Sequence, residues 1–310
     1  MKIIIDGQQY QNFESYSLKL QYNSLADSFS FAGLRNFLPE PLSYPRVEVY
    51  KNNELLITGT IVNQKREIKA APTLVSVSGY SLPGVLQDVN VPVELYPLQS
   101  DNLSLQDIAD KILPYFGVDY VKQGTKIEQA INKKFTKTVA GGQQSVKQYL
   151  NKLASQRGII VTHDNQGRIV FQKGIALNPP VRLQNIESIS IDYPGQRLHS
   201  DITVIRQSSR DNPDAGQATV SNPLVGAARP KTKILNDGDI FDVDAAADNE
   251  LRAELANVSL QLKTREFVLP GTIIDFENVP GAWFVETTEV KGNAQSENYS
   301  YSCVPREVYE

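Results

Sequence analysis

The sequence predicts a mainly β chain of the α+β class: two β-barrel domains with a small α+β domain between them. Three observations predict it. Short alternating apolar stretches, separated by turn residues, recur between residues 2 and 80. Near residues 104–117 and 145–158 the apolar period changes from 2 to 3.6. From residue 186 onward the period of two returns, broken by one helical stretch.

In the first region, Lys2 to Ile5 meets the Asp6-Gly7 turn, and alternation continues through Tyr16, Leu18, Leu20 and Tyr22, which is the signature of a hairpin. Phe29 and Phe31 belong to a further strand. Pro39, Pro41 and Pro45 interrupt the pattern, which resumes at Val47, Val49 and Tyr50. Asn52-Asn53 then turns the chain into an apolar strand over residues 55–62. A polar break at 65–72 precedes another alternating strand at 74–80. Short strands at this spacing close into a barrel or sandwich, and residues 1–97 read as one β-barrel domain.

In the middle, Ser104-Leu105-Gln106-Asp107 resembles a capping box, followed at helical spacing by Ile108, Ala109, Ile112, Leu113 and Phe116, with Gly117 as the stop. A second helix starts near Ser145, presents Val146, Tyr149, Leu150, Leu153 and Ala154 on one face, and ends at Gly158. Residues 159–161 and 169–171, with the turn at 164–167 between them, form a hairpin. Residues 98–178 are therefore an α+β domain, closed by Asn178-Pro179-Pro180. Beyond it, strands are expected at 186–191 and 202–205, a long polar surface loop at 208–233 and a helix at 244–262. Further strands are expected at 265–269, 272–276, 283–290 and 299–304, so that residues 179–310 make a second β-barrel domain with the helix 244–262 inserted.

The composition bounds the function. With 41% hydrophobic and 21% charged residues, the 310-residue chain is an ordinary globular sequence. A net charge of -4 gives no reason to expect general nucleic-acid binding. The apolar run at the start is three residues before Asp6, which is not a signal peptide, and no stretch reaches the roughly 20 apolar residues that span a bilayer. The expectation is a protein made in a cytoplasm and not inserted in a membrane. The single Cys303 excludes an intramolecular disulfide framework and a multi-cysteine zinc site, and reads as a small core hydrophobe.

Catalytic chemistry is sparse. His163 and His199 are the only histidines, neither has a partner at ligand spacing, and both read as ordinary polar residues. None of the phosphate-binding, dinucleotide, nucleophile-elbow or zinc-helix motifs occurs. Gly141-Gly142, ahead of the second helix, reads as a domain hinge or as an anion-binding helix start. Asp237-Gly238-Asp239 and Asp242-Val243-Asp244 look calcium-like but lack the later spacing of an EF-hand; they read as a turn and a helix cap. The run Lys133-Lys134-Phe135-Thr136-Lys137 suits a solvated edge or a salt-bridging subunit contact better than a phosphate track on which Phe135 stacks a base. No catalytic residue, metal ligand or cofactor is expected, although 35 acidic residues leave a two-carboxylate hydrolase open.

Three stretches in order carry a family resemblance. The first is Ser24-Leu25-Ala26-Asp27-Ser28-Phe29-Ser30-Phe31, after a start with Asp6, Gly7 and Tyr10. The second is Val47-Glu48-Val49-Tyr50 with Leu56-Ile57-Thr58-Gly59-Thr60-Ile61. The third is Val75-Ser76-Val77-Ser78-Gly79-Tyr80-Ser81, continuing to Leu86-Gln87-Asp88. Together they resemble the N-terminal barrel of Mu-type phage baseplate hub proteins, relatives of the T4-type hub and of the late-control proteins of P2-like phages. Residues 104–117 and 144–160 are similar to the family's two helices, and 270–305 with the tail Pro305-Arg306-Glu307-Val308-Tyr309 to its closing barrel. The chain departs at Tyr80, where the family often has Arg.

The resemblance implies a structural, non-enzymatic subunit of a contractile tail, located in the virion baseplate and assembled in the host cytoplasm. It implies a homotrimer whose six barrels form a pseudo-sixfold ring between the tail tube and the threefold central spike, with other baseplate proteins as partners and a lumen that passes DNA without specific binding. Barrel edges would carry the subunit contacts, on the strands marked by Phe29, Val49, Ile61, Ile273 and Phe284. Trp283 reads as core packing ahead of an interface role, and the loop 208–233 as a partner-binding segment. A carbohydrate-binding or adhesin-like tail protein and a tail-associated cell-wall hydrolase are the alternatives.

Overall fold

Two left-handed turns set the first strands of the computed structural model, which describes residues 1–34, 37, 40–67, 74–95, 99–208, 215–235 and 242–310. Asp6 and Gly7 both have positive φ (47° and 82°) and connect β1 (Lys2–Ile5) to β2 (Gln8–Tyr10) in a two-residue hairpin. Asn52 and Asn53 do the same (49° and 67°) between the strands Arg46–Lys51 and Glu54–Glu67. Two positive φ values in a two-residue loop match the twist of the flanking strands, which is why Asp, Asn and Gly stand there.

Around these hairpins run β3 (Ser15–Gln21), β4 (Ser28–Leu34), β5 (Arg46–Lys51), β6 (Glu54–Glu67) and β7 (Leu74–Ser81), hydrogen-bonded in the order β3-β4-β7-β6-β5-β1-β2. Alternate residues face inward: Ile3 and Ile5, Leu18 and Leu20, Phe29 and Phe31, Val47 and Val49, Val75 and Val77 share one core. A fully buried side chain of this size contributes roughly 1.5–3 kcal/mol before conformational entropy is subtracted. Gly59 and Gly79 let β6 and β7 approach closely. A Cβ on Gly79 would lie 1.9 Å from the Thr60 carbonyl oxygen, and one on Gly59 2.2 Å from that of Tyr80. No other residue type fits at either position without moving a strand.

The middle of the chain holds α1 (Val85–Asp88), β8 (Gln99–Leu103), α2 (Leu105–Ile112), β9 (Tyr120–Gln123), α3 (Ile127–Ile131), β10 (Phe135–Val139), α4 (Val146–Ser155), β11 (Ile160–His163) and β12 (Ile169–Gln172). Capping boxes start α2 (Ser104 with Asp107) and α4 (Ser145 with Gln148). Gly117 ends the first helical stretch in the left-handed conformation. The β11–β12 hairpin forms as expected, and β12 also pairs in parallel with β9. The β8–β10 pair and α3 have no counterpart in the sequence reading. Leu25, from the first β region, and Leu86 on α1 are buried in one core with Leu105, Val146 and Leu150.

The last part comprises β13 (Val181–Arg182), β14 (Ile186–Asp192), β15 (Asp201–Arg206), β16 (Gly216–Ser221), β17 (Lys231–Leu235), α5 (Val243–Leu255), β18 (Ser259–Thr264), β19 (Ile273–Phe276), β20 (Val279–Gly292) and β21 (Glu297–Pro305). Three expectations need correction. The helix expected at 244–262 ends at Leu255, because Leu260 and Leu262 face the core and Ser259–Thr264 pairs as strand against β14 and β21. The loop expected at 208–233 contains β16 and the start of β17, which flank β15 in a three-stranded sheet beneath α5. No strand forms at 265–269: the Val268 amide donates to the Tyr301 hydroxyl at 3.1 Å, and that hydroxyl donates to the Glu266 carbonyl, replacing a ladder. The turn expected at Asp237-Gly238-Asp239, Pro39, and most of the polar break before residue 74 lie outside the described residues.

The two β regions share one hydrogen-bonded sheet. β20 pairs with β21 along most of its 14 residues; on its other side it meets β19 first and then β3 of the first region. The result is a 13-stranded sheet from β14 to β2.

Candidate assembly surfaces and interdomain joint

The strands chosen from sequence as interface carriers lie inside the sheet. Phe29, Val49 and Ile61 are buried in the first core, and Ile273 and Phe284 pack with Val304 and Tyr309 in another. Each of these strands is paired on both sides: β4 by β3 and β7, β5 by β1 and β6, β6 by β5 and β7, β19 by β13 and β20, and β20 by β21 and by β19 or β3. The five side chains therefore pack the inner face of the sheet and are not surface contacts. The period of two that drew attention to them is the pattern that turns them inward.

The unpaired edges are elsewhere. Among the described residues, β14 pairs only with β18 and β2 only with β1, so the main path of the long sheet ends in two open strands, and the two-residue β13 pairs only with β19 beside it. β14 is mostly exposed and carries Ile186 on its surface, with Tyr193 exposed just beyond it. An open edge presents a row of free backbone donors and acceptors to another chain.

The joint between the first barrel and the middle domain is built of buried polar groups around the stretch Tyr22 to Asp27. His163 on β11 places Nδ1 2.8 Å from the Ser24 carbonyl and Nε2 3.0 Å from the Asp27 carboxylate. Gln21 N donates to Asp27 Oδ1 at 2.7 Å, and Asp27 N donates to Ser81 Oγ at 3.0 Å. The Thr162 hydroxyl donates to the Tyr22 carbonyl, and Gln172 Nε2 donates to the Tyr22 hydroxyl at 2.7 Å. Both ring nitrogens of His163 face acceptors, so only the imidazolium satisfies both. Burial pulls the His163 pKa down, but the hydrogen bond and charge of Asp27, the Ser24 carbonyl and nearby Asp164 together raise it above the ordinary value. His199, like His163, has a carboxylate partner distant in sequence: its Nδ1 lies 2.8 Å from Glu254 Oε1. Nothing local in the sequence shows either pairing, since the partners are 136 and 55 residues away (163 − 27 and 254 − 199).

A second polar cluster ties the two β regions together. The Glu297 carboxylate on β21 accepts from the Tyr16 hydroxyl at 2.7 Å, from Tyr299 and from Lys51 on β5, while Lys51 also donates to the Tyr299 hydroxyl at 2.8 Å. These bonds outweigh the effect of burial and hold the Glu297 pKa below the usual carboxylate range.

The remaining singled-out residues take structural places. Phe135 is buried with the Arg157 guanidinium 4.2 Å above its ring, so it is not a stacking platform for bases. Lys133 pairs with Asp242 at 2.7 Å. Trp283 and Cys303 are buried in the core of the second β region, and burial pushes the Cys303 thiol pKa far up. Among the described residues, no three His, Cys, Asp or Glu side chains converge as a metal site, and no helix is long and apolar enough to cross a membrane.

Comparison with known proteins agrees with this architecture. Residues 90–173 match the family described as baseplate hub protein gp44-like, second domain. The 43 kDa tail protein of prophage MuSo2 from Shewanella oneidensis superposes with a TM-score of 0.78 at 16% identity, covering 99% of this chain and 98% of that one. A tail protein from Neisseria meningitidis MC58 gives 0.74 at 20% identity, covering 99% and 97%. The c3393 protein of E. coli, a type VI secretion component with structural similarity to the T4 tail proteins gp27 and gp5, gives 0.66 at 12% identity, covering 98% and 77%. No curated protein sequence matches the chain.

Proposed function

From a chain that carries a gp44-like baseplate hub second domain at residues 90–173 and has the fold of phage tail proteins along its whole length, we propose a structural hub subunit of a contractile tail baseplate. The match of residues 90–173 is the observation that carries this reading. In the proposed assembly the chain forms a homotrimer whose two β regions per subunit make a pseudo-sixfold ring, joining a sixfold tube to a threefold spike. The role is architectural and needs no cofactor. DNA passes the lumen without specific binding, and assembly takes place in the host cytoplasm.

The open strands β14 and β2 support a head-to-tail arrangement. They lie at opposite ends of one sheet, so each copy offers two different edges, as a heterologous ring requires. The proposed domains are residues 1–97, 98–178 and 179–310, with the middle domain facing the spike. Negative-stain imaging of the purified chain with a spike protein from the same particle tests the proposal. Rings with threefold symmetry and a central opening are expected; single compact particles that never join the spike would refute it.

A further inference from the structure

We propose that the cleft between the middle domain and the start of α5 binds an oxyanion of the phosphate class. The cleft, about 430 Å³, is bordered by Lys126, Lys133, Arg157, Lys173 and Arg206 on one side of the charge balance and by Asp242, Asp244 and Asp248 on the other. Five cations against three carboxylates leave a surplus of two positive charges among its described residues (5 − 3 = 2).

The donors are held in place and incompletely used. Arg157 is buried, sits over Phe135, donates from Nη2 to the Lys134 carbonyl at 3.0 Å and reaches Asp242 with Nη1 at 3.5 Å. Its Nε has no hydrogen-bond acceptor, and neither do Nε and Nη2 of Arg206. A buried donor left unpaired is costly, so three of them on two guanidiniums lining one cleft mark a place where an acceptor belongs. Burial and the neighbouring Arg206 both disfavour the charge on Arg157, although Asp242 opposes them, and an anion would relieve that repulsion.

The helix adds to this. α5 has 13 residues, and its N-cap Asp242 makes no side-chain cap, because its carboxylate is turned toward Lys133 and Arg157. The first amides of α5, at Val243, Asp244 and Ala245, thus border the cleft without the usual side-chain acceptor. Guanidinium forks and uncapped amides together suit a group with several acceptor oxygens, which a phosphate has and a chloride lacks. This inference does not depend on ring assembly.

The test is calorimetric titration of the full chain with inorganic phosphate and, separately, with a nucleoside monophosphate, each against sodium chloride of equal ionic strength. Saturable phosphate binding with one site per chain is expected. Arg206→Gln and Lys126→Gln should each weaken it about tenfold or more, with unchanged circular dichroism and melting temperature in chloride. Lys65→Gln, on a remote exposed strand, should leave it unchanged. Tighter binding of the nucleotide would identify an esterified phosphate as the ligand; equal or weaker binding would identify the free ion. Heats no larger than those of chloride, or wild-type affinity in Arg206→Gln, would overturn the proposal.

Discussion

His163 shows how a single side chain can couple two domains. Its imidazolium bridges the Ser24 carbonyl and the Asp27 carboxylate, and removing it leaves Asp27 buried beside fewer donors. His163→Gln should cost about 3–5 kcal/mol in urea unfolding at mildly acidic pH, the scale for breaking a buried ion pair. The folded pKa of His163 is raised, so its contribution is complete below the unfolded value of about 6.5 and is lost as pH rises through the folded value. The stability gap between wild type and His163→Gln is therefore expected to narrow as pH rises above about 6.5. A gap that widens with pH would show that neutral histidine is the bridging form. The pairing was not legible in the sequence: Asp27 stood out within its motif and His163 beside a turn, but no local pattern joins residues so far apart.

At the scale of elements, legibility followed periodicity. The strands expected at 47–50, 74–80 and 283–290, and the helices capped by Ser104 and Ser145, appear where alternation or a capping box placed them, with ends that differ by a few residues. What failed had local signals that tertiary pairing overrode. Residues 258–262 contain good helix formers, yet Leu260 and Leu262 are needed inward on β18. Residues 216–221 look like loop because their side chains are small and polar, and become strand β16 against β15 and α5. The five interface candidates failed for a related reason: alternation identifies which residues face a core, and says nothing about which strand has a free edge. Gly59 and Gly79, which stand within the family pattern, are requirements of strand contact. Gly79→Ala must push the Thr60 carbonyl away, and should cost at least about 2 kcal/mol or prevent folding. Ala at Gly142, where an added Cβ would meet nothing within 4 Å, should change stability by less than about 0.5 kcal/mol. Thermal melts of the two variants compare these costs directly.

Over the whole molecule, β20 and the Lys51–Glu297 cluster join both β regions into one sheet with an open strand at each end. The fold class was legible because it rests on the count and spacing of strands. The continuity of the sheet was not, since the β20–β3 pairing links residues more than 260 apart (287 − 21 = 266). If β14 is a subunit contact, replacing its exposed apolar residue by a charge should act on assembly alone. Ile186→Lys is expected to leave the melting temperature of the monomer within the range of a surface change, about 0.5 kcal/mol, while weakening association about tenfold or more. Sedimentation equilibrium across a concentration series separates the two effects.

The most direct test of the hub reading is the mass of the purified chain in solution, by size-exclusion chromatography with multi-angle light scattering. The account predicts three times the 34.5 kDa chain mass, formed alone or on addition of the spike protein. A particle that stays at 34.5 kDa at every concentration and in the presence of the spike would contradict it.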